Sequence, residues 1–176
     1  MAFDLPQPLH AIFNTPSLPN LGPERRAEAL PLIELENELE SAVSQSSFSI
    51  ENADLARSAA LLWHDHLDAS HTLSQAIRNS DGSFLHGIMH RREPDYPNAK
   101  YWFNRVGTHD TFPEIFNRAK TILTGTSLEH LVENVWDPFV MVDSVSQANS
   151  GSEEYNLLQQ IQKIEFEVLL LESFCN

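Results

Sequence analysis

Six side chains able to bind metal or move protons fall into two trios with the same helical spacing: His64, Asp68 and His71, then His86, His90 and Glu93. Residues three and four apart stack on one side of a helix, so each trio can converge on a point. Facing trios of imidazoles and carboxylates hold Zn, Fe or Mn in helical bundles, or pass protons when no metal is bound. The metal-ligand candidates are therefore His64, His71, His86, His90 and Glu93. The acid–base candidates are Asp68, His71, His86, His90 and Glu93. The competing reading is a polar helix face that merely carries polar residues, since neither HExxH nor another established metal spacing is present.

Around the second trio, residues 82–109 hold three of the eight histidines and four of the eleven Lys/Arg residues. Within it, His90-Arg91-Arg92-Glu93 sets two guanidiniums beside an imidazole and a carboxylate. Arginine grips carboxylate or phosphate through a planar fork, so Arg91, Arg92 and Arg105 are candidates to hold an anionic small molecule. Alternatively, Arg91 and Arg92 pair with Asp65, Asp68 or Asp95 as ion bridges. Tyr101 shares a helical face with Asn98 and Arg105, and offers a pocket an apolar body with a polar tip. Trp102 falls on the adjoining face, which reads as core. His66 lies in an apolar stripe, so it is either a buried neutral histidine bonded to a backbone carbonyl or a substrate contact tuned by burial. Ser70 precedes His71 without the strained turn a nucleophile needs. No glycine loop able to cradle phosphate is present.

The elements that must position these groups read as helices throughout. Residues 1–23 carry five of the ten prolines and form an extended arm, whose Phe3, Leu5, Leu9, Ile12 and Phe13 suit it to lie on the body. Helices follow over 24–43 (divided by Pro31), 51–77, 84–93, 98–106, 113–123, 128–135 and 138–145. A last helix spans 153–174. In 51–77, Leu62, His66, Ala69, Leu73 and Ala76 repeat at core-facing spacing. The short connection at 78–82 makes this helix the antiparallel neighbour of the next. In the last helix Leu157, Ile161, Ile164, Val168 and Leu171 form a stripe that fits a core helix, with a homodimer seam as the alternative. The expectation is an all-α, single-domain bundle of about six to seven helices over residues 24–176, preceded by the arm.

Composition narrows the partners. With 25 acidic against 11 basic residues the net charge is −14, which repels phosphate backbones and argues against nucleic acid or anionic membrane. One cysteine excludes an internal disulfide framework and a Cys-based zinc site. No apolar run reaches membrane-span length and no secretory signal is visible, so a cytoplasmic protein is expected.

The runs DASHTLSQ (68–75) and HGIMHRREPDYPNAKYWFNRVGTH (86–109) resemble the shared block of an uncharacterised microbial protein family. The resemblance covers about residues 60–112, and this chain has Asn104 where the block has Arg and Asp110 where it has Pro. It brings no activity with it. What it implies is that Asp68, His71, His86, His90, Arg91, Arg92, Tyr101 and Arg105 are the site candidates.

Together these features point to a small helical enzyme of lyase, isomerase or hydrolase type. It would act on a polar, anionic small molecule by His/carboxylate acid–base or metal-assisted chemistry. The alternatives are a non-catalytic small-molecule-binding module and a helical protein-interaction domain.

Overall fold

A computed structural model describes residues 7–45 and 49–175. Among the described residues it has no strand and nine α-helices: α1 (Gln7–Phe13), α2 (Leu32–Ser44), α3 (Ile50–Trp63), α4 (Leu67–Ser74), α5 (Ser80–Arg92), α6 (Tyr96–Val106), α7 (Phe112–Leu123), α8 (Pro138–Gln147) and α9 (Glu153–Cys175). A single 3-10 turn, Glu129–Val132, replaces the helix expected over 128–135. The chain is therefore the expected all-α bundle. No helix among the described residues is long and apolar enough to cross a membrane.

Two differences account for the extra helices. The arm contains one short helix, α1, whose Leu9, Ile12 and Phe13 are buried as the expected docking requires. Phe3 and Leu5 lie outside the described residues. Further along, the arm is fastened to α9: Tyr155 Oη accepts from the Leu21 amide at 2.9 Å, and Gln159 donates to the Pro19 carbonyl at 3.0 Å.

The second difference matters more for the site. The helix expected over 51–77 is two helices, α3 and α4, broken at His64–His66. Asp65 has φ 64°, a left-handed conformation that Asp tolerates better than most side chains. Its carboxylate is held there by two arginines from elsewhere in the chain. Arg26 Nε donates to Oδ2 at 2.8 Å and Arg92 Nη2 to Oδ1 at 2.7 Å. Small residues then let α4 fold back against α3, with Ser70 Oγ donating to the Ser58 carbonyl at 2.9 Å.

Downstream, Asn79 caps α5 by accepting from the Gly82 amide at 2.9 Å, so the turn residues that end one helix also start the next. Asp95 caps α6, and Gly107 closes it with φ 66°. The α5–α6 crossing is close at Gly87, where a Cβ would stand 2.9 Å from the Phe103 ring. Only glycine fits this contact without displacing the ring.

One continuous apolar cluster draws buried residues from eight of the nine helices, and Leu67, Ala69 and Leu73 of α4 pack against it. Trp63 sits at its centre, 5.7 Å from Phe13 and 5.6 Å from Phe166 between ring centroids. Full burial of such a side chain contributes roughly 1.5–3 kcal/mol. The α9 stripe faces this core: Ile161, Ile164 and Val168 are buried, with Leu157 and Leu171 packed at its margin. The stripe thus packs as the core-helix reading expects.

Candidate metal centre

α4 and α5 bring three histidines together. α5 supplies His86 and His90, one helical turn apart, and α4 supplies His71 from the facing helix. Ring centroids lie 4.7 Å apart for His71–His86, 5.2 Å for His71–His90 and 4.8 Å for His86–His90. One candidate ligand atom from each residue falls within 4.8 Å of the others. Metal–nitrogen bonds of about 2.0–2.1 Å hold neighbouring ligand nitrogens roughly 3.3 Å apart, so the set would close by up to about 1.5 Å around an ion. His86 and His90 are buried and His71 is half-buried, which leaves the approach from solvent on the His71 side.

The electrostatics favour neutral rings. Burial, reinforced by the neighbouring His90 and His71, lowers the His86 pKa to about 3. Burial also lowers His90, against the opposing pull of Glu93. Neutral imidazole is the ligand form of histidine. In addition, His86 Nδ1 is buried with no hydrogen-bond partner among the described residues. Leaving a buried polar atom unsatisfied costs about 1–3 kcal/mol, and a cation accepting its lone pair would remove that cost.

Around the three rings stands a supporting set. His90 Nδ1 donates to Glu93 Oε2 at 3.0 Å, which leaves the Nε2 lone pair for a ligand. Carboxylates commonly orient metal-binding histidines in this way. Glu93 bonds His90 and is not among the three residues whose candidate ligand atoms converge, which corrects the ligand role its spacing suggested. Asn98 Nδ2 donates to His90 Nε2 at 3.1 Å and would have to release it to an incoming ion. Trp102, expected in the core, is half-buried and stacks on His86 at 3.8 Å with 12° between planes. The Arg105 guanidinium lies 5.2 Å from the Trp102 ring, and exposed Tyr101 meets that ring edge-on at 5.5 Å.

Several sequence candidates fall elsewhere. His64 spends both nitrogens on backbone, Nε2 donating to the Ile12 carbonyl at 2.8 Å and Nδ1 accepting from the Leu30 amide at 3.1 Å. The break at Asp65 turns it away from His71, so it is not a metal ligand. His66 Nε2 donates to the Leu30 carbonyl at 2.8 Å, the backbone-bonded alternative rather than a substrate contact. Asp68 is exposed in the first turn of α4 and is not part of the cluster.

Arg91 and Arg92 are wholly buried, so neither holds a ligand at the surface. Arg91 grips Glu165 with both Nη atoms and also reaches Gln162 at 3.3 Å. Arg92 joins Asp65 to the Gly22 and Leu62 carbonyls. The ion-bridge alternative is thus correct for both, with Glu165 as a partner the sequence did not suggest. Sequence reasoning also missed the contacts of Asn98 with His90 and of Trp102 with His86, although their i, i+4 spacing on α6 repeats that of His86 and His90 on α5.

Compared with known proteins, the chain matches no family model, and no curated protein or solved structure matches it significantly.

Proposed function

We propose that His71, His86 and His90 bind one divalent metal ion, Zn, Fe or Mn, and that the protein uses it for metal-assisted lyase or hydrolase chemistry on a polar, anionic small molecule. The observation that carries this reading is the approach of three imidazoles from two helices, with candidate ligand atoms within 4.8 Å. The unpartnered Nδ1 of His86 supports it.

A metal held by three histidines keeps a coordination position open, where it acidifies a bound water and polarises a substrate oxygen. The chain's own groups would do the rest. Glu93 fixes the ring of His90 and the nitrogen on which its proton sits. Trp102 covers His86 and limits water. Asn98, once displaced from His90, offers an amide to a substrate oxygen. Arg105 beside Trp102 supplies a guanidinium for the substrate's negative group, the role that buried Arg91 and Arg92 are in no position to take.

Elemental analysis of purified, untagged protein tests this. One equivalent of Zn, Fe or Mn is expected in the wild type. His90→Ala should lose metal and turnover while helicity and melting temperature stay nearly unchanged. Wild-type protein without metal after growth in supplemented medium would refute the reading. A His90→Ala variant that unfolds would make the histidine structural.

A further inference from the structure

A second site is independent of the histidines. A cavity of about 690 Å³ opens on the Phe103–Asn104–Gly107 side of α6, whereas the cluster faces Asn98 and Trp102. None of the three clustered histidines lines it. Its volume is that of a small-molecule pocket, commonly about 300–1,000 Å³. Five aromatic side chains make the wall: Phe103, Phe112, Phe116, Trp136 and Phe139. α6, α7 and the start of α8 carry four of them, and Trp136 stands in the short segment just before α8.

The charge of the lining is one-sided. It contains no Lys or Arg, and its one acidic side chain is Asp137, which caps α8 by accepting from the Phe139 amide at 2.8 Å. His109 also lines the cavity, but both of its ring nitrogens are engaged, by Asp81 at 2.9 Å and Thr111 at 2.7 Å. An anion entering this space would lose its hydration and find no Lys or Arg in the lining, the Lys120 ammonium lying outside it at 5.5 Å from the Phe116 ring centroid. The remaining polar side chains are those of Thr108 and the neutral amides Asn104, Asn117 and Asn134. At the C-terminal end of α6, a Cβ on Gly107 would meet nothing within 4 Å, so this edge of the cavity is open.

We propose that this cavity binds an uncharged aromatic small molecule, held by ring contacts with the five aromatic side chains and oriented by the rim amides. The site goes beyond the metal centre and does not depend on it.

Calorimetric titration with naphthalen-2-ylmethanol and with 2-naphthoate separates the outcomes. The alcohol should bind saturably, at least tenfold more tightly than the carboxylate. Phe139→Ala should weaken the alcohol at least tenfold. Asn104→Arg changes an exposed wall residue, and should raise 2-naphthoate affinity at least tenfold, a gain that no loss of folding can produce. His71→Ala should leave alcohol binding within twofold of wild type even if it abolishes metal binding. The proposal is overturned if the alcohol does not bind, if both probes bind equally, or if Asn104→Arg leaves 2-naphthoate affinity unchanged.

Discussion

Consecutive turns of α5 carry two kinds of buried polar group. His86 keeps a polar atom open, Nδ1, which has no partner among the described residues, while Nε2 of His90 accepts from the Asn98 amide. Arg91 and Arg92 are equally buried, and although Arg91 Nε also lacks a partner among the described residues, their charges are closed by Glu165 and Asp65. A buried charge that meets its counter-charge belongs to the fold. In the proposed reading, a buried ring with a spare lone pair and two like neighbours receives a metal ion.

The contrast breaks most sharply at Arg92. Arg92→Ala leaves the Asp65 carboxylate with only Arg26, and removes the bridge to the arm and to the end of α3. Breaking a buried pair from one side costs about 3–5 kcal/mol, so chemical denaturation should reveal a loss of that size. A variant as stable as wild type would show that the network is not structural.

On the open side the supporting carboxylate gives a smaller and different signal. Glu93→Ala should weaken metal binding by about 10–100-fold, the usual effect of removing a group that orients a ligand histidine. Because the Glu93 side chain is 46% exposed, stability of the metal-free protein should change by less than about 1 kcal/mol. Unchanged metal affinity would remove Glu93 from the site.

A further effect is on acid stability. Folded His86 takes up its proton only near pH 3, whereas unfolded it does so near 6.5. Between these values the unfolded chain binds more protons, so stability falls as pH drops through 6.5 towards 3. His64 and His90, also lowered by burial, act in the same direction. Melting temperatures of chelator-treated protein should therefore decline over this window, and His86→Gln should flatten the slope. An unchanged slope in that variant would contradict the assignment.

Much of the fold was legible because helix periodicity, proline positions and caps are local. The break at Asp65 was not. Its left-handed backbone is held by residues 39 and 27 positions away, Arg26 and Arg92, while the local pattern runs on as one helix. That break decided which of His64 and His71 reaches the cluster, so spacing correctly paired His86 with His90 but admitted one wrong histidine. The arginines were ambiguous for a similar reason. Their types and neighbours suit an anion site, and only a carboxylate 74 residues further on, Glu165, closes Arg91 into the core.

The most direct test of the central claim is titration of chelator-treated protein with Co(II), followed by visible absorption. The account predicts saturation at one equivalent in the wild type, with the signal lost in His71→Ala, His86→Ala and His90→Ala. A spectrum no different from that of the free aquo ion, or one that survives in all three variants, would contradict it.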